Sequence, residues 1–347
     1  MGGSFRWYTH DLAKDVFEVA ITTHTGKILE RLRLNRAQFH KFLIQREPAT
    51  VVTEACGAAH HWGRVATEHG HTVRILPAQY VSPYRQRNKT DKADTEALIE
   101  ANKRDGIIPV PIRSVEQQHI LQMHSLREQW KKTKVQRING LRGCLREIGF
   151  FIPLGARSVA PRVRAIFSEE DIPVPLAHLY NELLTEIAEL EAKIKQAERS
   201  LKDLTQDDQR VHLLQQVPGI GIMTSTAMVA SVGNPHRFSN GRKLASWLGL
   251  TPLERSSGNR RRLGKISKRG DCYLRMLLTH GARSVLTRAK VLKRTGEQLT
   301  PLQQWAAQLE QRVGHNKATC AIANKLARIC WAVWTTESSF NYNTVNS

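Results

Sequence analysis

Thr50-Val51-Val52-Thr53-Glu54, the segment Ala58 to Glu68, and Thr72-Val73-Arg74-Ile75-Leu76 form the stretch whose reading decides the fold. A β-branched run ends at a carboxylate, Glu54. A helical segment follows from Ala58 to Glu68, then an apolar strand from Thr72 to Leu76. Working back towards the N-terminus, Phe5 to His10 and Val16 to Thr22 read as strands. The turn His24-Thr25-Gly26-Lys27 leads into a third, Ile28 to Leu34, and Ala37 to Gln45 reads as a helix. Three hairpin-linked strands, followed by strands separated by helices, predict a mixed sheet with helices packed on it.

Downstream the pattern turns helical. Val115 to about Ile148 carries a basic stretch at Lys131, Lys132, Lys134, Arg137, Arg142 and Arg146, and prolines and a glycine between Pro153 and Pro175 interrupt it. Leu176, Tyr180, Leu183, Ile187, Leu190, Ile194, Ala197, Leu201 and Leu204 then recur at steps of four and three. That seam fits one helix packed on its own domain. The 3.5-residue period, with charges outside it, favours a coiled-coil arm. Beyond Asp207, Val217-Pro218-Gly219-Ile220-Gly221 joins two helical segments. Gly219 and Gly221 would leave the second helix's amides bare, as in helix-hairpin-helix units that grip phosphates. Lys317 to Trp334 is the last strongly helical segment. The expected organisation is residues 1–112 as an α/β domain, 113–206 as a helical linker and coiled coil, and 207–347 as a mainly helical C-terminal domain.

Composition narrows the partner. The 347 residues include 52 Lys and Arg against 31 Asp and Glu, a formal charge of +21, which calls for a polyanion and most commonly nucleic acid. With 41% hydrophobic residues a core can be buried. No apolar run has the roughly 18 residues a membrane span requires. The N-terminus carries no charged-then-apolar signal, so a cytoplasmic location is expected. Cys56, Cys144, Cys272, Cys320 and Cys330 are scattered, with no C-x-x-C pair, which suggests neither zinc nor a disulfide framework.

Four acids stand where phosphoryl-transfer chemistry would use them. Asp11 lies at the end of the first strand and Glu54 at the end of the fourth. Asp91 and Asp94 lie in Asn88-Lys89-Thr90-Asp91-Lys92-Ala93-Asp94, which opens a helix and places both on one face. Taken alone, that pair equally fits acids stabilising a helix N-terminus. The chain order, strand-one acid, strand-four acid, helical pair, is the layout of ribonuclease-H-like folds. There the acids converge on two hard cations, Mg²⁺ or Mn²⁺, that clamp the attacking and leaving oxygens of an in-line displacement. Like charges so close argue for a cation among them.

A second stretch runs from Gly249-Leu250-Thr251-Pro252 through Arg255-Ser256-Ser257-Gly258 to Gly270. Arg255, Arg260, Arg261, Arg262, Lys265, Lys268 and Arg269 give it seven cations between Arg255 and Gly270 and no acid. It reads as a basic loop that holds phosphate backbone. It also suits a serine nucleophile whose cations stabilise a phosphorane-like transition state.

With both stretches in view, the sequence resembles the transposases of the IS110 family of bacterial insertion sequences, and more loosely its IS1111 branch. The resemblance rests on the joint order of Asp11-Leu12-Ala13-Lys14, Thr53-Glu54-Ala55-Cys56-Gly57, Asn88 to Asp94, Val217 to Gly221, Gly249 to Pro252, Ser257-Gly258 and Ser267-Lys268-Arg269-Gly270. It implies a RuvC-like N-terminal domain, a coiled-coil segment and a C-terminal domain with a catalytic serine. Asp11, Glu54, Asp91 and Asp94 match the family's four acids, and Ser257 its serine, with Ser256 as a neighbouring alternative. It also implies donor and target DNA as substrates, a structured non-coding guide RNA, and active sites assembled between protomers of a homo-oligomer, dimer or tetramer. Two departures stand out: Thr9-His10 precedes the first aspartate where the family has glycine and an aliphatic residue, and Cys56 replaces a hydroxyl residue. Strand periodicity puts His10 on the face opposite Asp11, so metal binding is not expected to be lost.

The reading is cut-and-rejoin DNA transposition by metal-assisted serine attack. One rival is a Holliday-junction-type endonuclease using water on the same carboxylates, although a hydrolase has no use for the Ser-Gly in its basic surround. Another is a catalytically dead nucleic-acid-binding protein, which would be expected to lack one of the acids, and all four are present.

Overall fold

The computed structural model describes residues 6–12, 16–85, 90–258 and 260–341, with Arg6, His10, Asp11 and Leu12 described by their backbone alone. The chain divides into two compact units, Met1–Glu116 and Gln117–Ser347.

The first unit is a five-stranded mixed sheet. Strands β1 (Arg6–Leu12), β2 (Val16–Thr23), β3 (Ile28–Asn35), β4 (Thr50–Glu54) and β5 (Thr72–Leu76) lie in the order β3-β2-β1-β4-β5. The first three form antiparallel pairs, whereas β4 runs parallel to both β1 and β5. Helix α1 (Arg36–Gln45) opens with a capping box, Asn35 accepting from the Gln38 amide while the Gln38 side chain accepts from that of Asn35. Together with α2 (Ala59–Glu68) it covers one face, where Tyr8, Phe17, Phe39, Phe42, Leu43, Val51 and Trp62 pack. The Phe17 ring lies 5.0 Å from Phe39 and 5.4 Å from Trp62, contacts that fix the helices on the sheet. Period-2 alternation sends the next residue of β4, Val52, to the other face. There it joins Leu76, Val81, Ala97, Leu98 and Ala101 beneath α3 (Ala78–Val81) and α4 (Asp91–Asn102). Sandwiching by helices leaves the carboxyl ends of β1 and β4, side by side, as the sheet margin carrying Asp11 and Glu54.

The second unit is helical apart from one hairpin. Its long helices α5 (Val115–Glu147) and α7 (Val174–Leu204), linked through α6 (Val159–Glu169), run antiparallel, as the pairs Arg137–Glu186 at 2.7 Å and Arg127–Glu198 at 2.5 Å show. The heptad seam of α7 is filled from within the chain. Tyr180 and Leu184 share a core with Ile138, Leu141 and Leu145 of α5, and Leu201 packs on Ile120. Leu204 is exposed. The apolar stripe predicted from the sequence is therefore present, and α5 of the same chain occupies it.

Helices α8 (Gln209–Gln215) and α9 (Ile222–Val232) flank the Pro-Gly-x-Gly turn. After them come α10 (Gly241–Trp247), a hairpin of β6 (Pro252–Glu254) and β7 (Leu263–Ile266), and α11 (Cys272–Thr295), α12 (Pro301–Val313) and α13 (His315–Thr336). One core, from Val211 to Trp334, joins these helices. All five cysteines are free thiols. No helix among the described residues is long and apolar enough to cross a membrane.

Candidate active site

The sheet places Asp11 and Glu54 by register. His10 of β1 pairs with Thr53 of β4, so each acid follows the last paired residue on adjacent parallel strands. Asp91 and Asp94 sit in the first turn of α4, whose cap is Thr90, its Oγ1 accepting from the Ala93 amide at 3.2 Å. Asp91 is exposed and Asp94 is buried, its side chain 5% accessible.

Glu54 and Asp94 are brought together by a residue that the sequence did not single out. Arg85 closes the turn Ser82–Tyr84, its amide donating to the Ser82 carbonyl. Its Nη2 donates to Glu54 Oε2 at 2.8 Å, and its Nε lies 2.5 Å from Asp94 Oδ1. This second contact lacks hydrogen-bond alignment, since among the described residues neither atom has a hydrogen-bond partner. Two carboxylates far apart in sequence thus share one cation. The only sequence signal for Arg85 is its position in a basic run just before the helical acids, and no periodicity marks it. Among the described residues no group of three or more His, Cys, Asp and Glu side chains is gathered as a metal cluster. The Asp11 side chain, and Lys89 altogether, lie outside the described residues.

The donor set nevertheless suits a hard cation. Glu54 and Asp94 offer only oxygen, and buried Asp94 Oδ1 has no aligned donor. Elsewhere in the same unit, burial and the charges of Arg113 and Arg64 hold the His60 imidazole down at about 4. The neutral ring accepts at Nδ1 from the Arg113 amide at 3.3 Å. His60 is thus a neutral structural acceptor.

The serine stretch, read from sequence as a loop, is a hairpin. Arg255 N–H donates to Arg262 O at 2.9 Å, while Ser257 and Arg260 exchange backbone hydrogen bonds of 3.3 and 3.2 Å. Gly258, at φ +54°, supplies the left-handed residue that a tight turn demands. Ser256 Oγ donates to Glu254 Oε1 at 2.7 Å and accepts from the Arg262 amide at 3.1 Å. Among the described residues, Ser257 Oγ has no such partner. The structure therefore distinguishes the two serines: one is tied into the hairpin, and the other stands at its tip. Arg255, Arg260, Arg261, Arg262, Lys265, Lys268 and Arg269 are all exposed around it. Only Glu254, 3.6 Å from Arg261 Nε, offsets them within the hairpin.

The base of the hairpin is clasped. Ser267 N–H donates to Thr251 O at 2.8 Å and Lys268 N–H to Gly249 O at 3.1 Å. Both Gly249 and Gly270 adopt positive φ, and a Cβ on either would run into backbone across the clasp, Arg269 in the first case and Trp247 in the second. Helix α11 starts immediately afterwards, capped by Asp271, which accepts from the amides of Tyr273 and Leu274. A buried triad pins that start. Thr226 gives its hydroxyl proton to Ile222 O at 2.6 Å, so His124 donates to Thr226 from Nε2 at 3.0 Å and accepts at Nδ1 from the Tyr273 hydroxyl at 2.9 Å. Burial, with Arg127 beside it, lowers His124 to about 4, and burial with the Glu128 carboxylate pushes Tyr273 up to about 12. Sequence reading missed this triad, because its members are spread over α5, α9 and α11.

Of the two turn glycines expected to meet phosphate, Gly219 packs inward: a Cβ there would strike the Gly281 carbonyl of α11. Gly221 has open space around it and caps α9 without a side-chain bond, leaving the first amides uncovered.

Two family models match the chain. One, described as Transposase and of the IS110 DEDD type, covers residues 10–150, and the other, described as Transposase IS116/IS110/IS902 family, covers residues 211–297. A "Probable family 20 transposase" of Pseudomonas aeruginosa is 38% identical over 95% of this chain and 97% of its own length. The "Transposase for insertion sequence element IS1111A" of Coxiella burnetii is 34% identical over 95% of this chain and 90% of its own. The "Transposase for insertion sequence element IS1328" of Yersinia enterocolitica is 32% identical over 95% and 97%. A mixed α/β unit bearing paired carboxylates, a helical unit bearing a serine among cations, and similarity over nearly the whole length agree: the chain belongs to the IS110 family of insertion-sequence transposases, enzymes that cut and rejoin DNA.

Proposed function

We propose that the protein moves its insertion sequence by serine attack on DNA phosphate, with Asp11, Glu54, Asp91 and Asp94 holding Mg²⁺ or Mn²⁺ in a ribonuclease-H-like domain. The observation that carries this reading is the convergence of Glu54 and Asp94 on one cation at the carboxyl end of β4. The strand order, with three antiparallel strands extended by two parallel ones, supports the ribonuclease-H-like assignment. When bound, the metal supplies Lewis-acid polarisation of the scissile phosphate. The protein's own groups do the rest. Ser257 Oγ forms a bond to phosphorus as the bond to the departing nucleotide oxygen breaks, its proton passing to solvent and another from solvent satisfying the leaving oxygen. The phosphoserine link conserves the bond energy for rejoining. Arg255, Arg260, Arg261 and Arg262 stabilise the charge that develops on the phosphate, while Lys265, Lys268, Arg269 and Lys89 grip the backbone.

The same reading takes residues 1–112, 113–206 and 207–347 as domains, the α5–α7 pair as a coiled-coil arm, and the turn through Gly219 and Gly221 as a helix-hairpin-helix contact to phosphate. A structured non-coding RNA as guide, a homo-oligomer that unites one protomer's carboxylates with another's serine, and action in the bacterial cytoplasm complete it. Exposed cations on α11, among them Arg288, Lys293 and Arg294, support a second polyanion beside the DNA.

Trapped reactions on nicked substrates provide the test. Wild-type protein should accumulate a covalent adduct that peptide mapping assigns to Ser257. Ser257→Ala should lose adduct and cleavage by about a thousandfold or more, with DNA binding intact. Ser256→Ala should retain both, because its hydroxyl serves the hairpin. Clean cleavage by Ser257→Ala would instead establish water as nucleophile and a junction-type nuclease.

A further inference from the structure

We propose that Arg85 is a resident counter-cation of the carboxylate site, holding Glu54 and Asp94 until a divalent metal displaces it. The inference rests on the metal reading of those two acids and adds a competition to it.

The geometry sets up that competition. Arg85 Nη2 and Nε reach Glu54 Oε2 and Asp94 Oδ1, the same oxygens that a hard cation would take. Asp94 is buried and Glu54 largely so, and without a cation between them their charges would repel in a medium poorer than water at screening. A guanidinium bridges two carboxylates well, since its donors fan out in a plane. Here only one of its two contacts is an aligned hydrogen bond, and Asp94 Oδ1 is left without a proper donor. Arg85 therefore offsets only one of the two negative charges and does not saturate the site. Its backbone position favours exchange as well, because it ends a single 3-10 turn and is built into neither a strand nor a long helix. Its side chain is 25% accessible, against 5% for Asp94, so it has a way out towards solvent that the aspartate lacks.

A displaced guanidinium would remain beside the site with its donors free, and phosphate oxygen is the acceptor it fits best. Arrival of DNA then draws Arg85 away from the carboxylates and lowers the barrier to metal entry. Metal-dependent cleavage is held back in the protein alone and released by substrate.

The test compares full-length wild type, Arg85→Gln and Arg85→Lys without DNA. Mn²⁺ binding is read from the loss of the free-ion electron paramagnetic resonance signal, and thermal unfolding is followed in EDTA and in Mn²⁺. Removing a competitor that occupies the site most of the time raises apparent affinity by the inverse of the free fraction, so Arg85→Gln should bind Mn²⁺ about tenfold more tightly. It should also melt below wild type in EDTA and recover in Mn²⁺. Arg85→Lys, a point charge that cannot span both acids, should fall between the two, and it serves where Arg85→Gln does not fold. Glu54→Gln should lose Mn²⁺ binding in either background. Unchanged or weaker Mn²⁺ binding in both Arg85 variants would overturn the competition while leaving the metal site standing. Absence of Mn²⁺ binding by every protein, wild type included, would overturn the metal reading and this proposal with it.

Discussion

Glu54 and Asp94 have side chains only 18% and 5% accessible with a guanidinium between them, whereas every described residue from Arg255 to Lys265 around Ser257 is exposed. The carboxylates are held by a sheet margin and a capped helix, in surroundings that strengthen each charge. The serine rides on a hairpin whose cations have a single internal acid, Glu254, to answer them. One site is partly compensated within the protein, by a single guanidinium for two carboxylates, and the other is compensated chiefly when a polyanion arrives. Charge compensation, more than shape, separates the two halves of the chemistry.

The largest expected effect probes that imbalance. If six to ten phosphates are neutralised, DNA affinity should fall about 10³ to 10⁵ fold between 50 and 200 mM salt. Replacing Arg255, Arg260, Arg261 and Arg262 together by glutamine should reduce the logarithmic salt slope by about four, each lost phosphate contact removing about 0.9. Fluorescence anisotropy titrations at several salt concentrations read both, and an unchanged slope would place the DNA elsewhere on the protein.

A smaller effect separates the clasp of the hairpin from its tip. Gly270→Ala drives a methyl group into the Trp247 carbonyl at a positive φ, and should cost about 3 kcal/mol in urea unfolding. Gly258→Ala, with open space around it, should cost about 1 kcal/mol, the left-handed backbone alone. Equal costs would show that the clasp does not hold the hairpin.

A further effect, of similar size and read against pH, concerns the neutral imidazoles His60 and His124, one in each unit. His60 and His124 are both held down at about 4 in the folded protein, against about 6.5 when unfolded. The unfolded chain therefore takes up these protons first as pH falls. The stability they contribute is complete above pH ~6.5 and drains away towards pH 4. Between pH 7 and pH 5 His124 should lose about 2 kcal/mol, and the less enclosed His60 about 1 kcal/mol. Urea midpoints at the two pH values measure this loss, and His124→Asn should flatten the pH dependence of the helical unit.

Much of the first unit was legible because period-2 and helical patterns both decide buried faces. The expected strand from Thr72 to Leu76 is β5 residue for residue, and the β4 run does end at Glu54. Periodicity also found the α7 stripe, but a stripe names no occupant, and α5 fills it. The hairpin escaped notice because β6 begins with proline and β7 is largely exposed, so neither shows one apolar face. Arg85 escaped because an ion pair across thirty-one residues leaves no trace in local pattern. Gly219 was recognised as a turn glycine, while its contact with Gly281, sixty-two positions away, belongs to packing alone.

The clasp at Gly249 and Gly270 has one more consequence. Leu250 is buried in the helical core, but the described residues from Glu254 to Lys265 hang outside it, so changes of length or sequence in that tip register little in folding. Selection on that excursion can act almost wholly through the nucleic acid it meets. Around a fixed Ser257, the exposed side chains of a region insulated in this way can be exchanged while the scaffold beneath it stays unchanged. It is also the natural place to graft altered tips when re-engineering the enzyme.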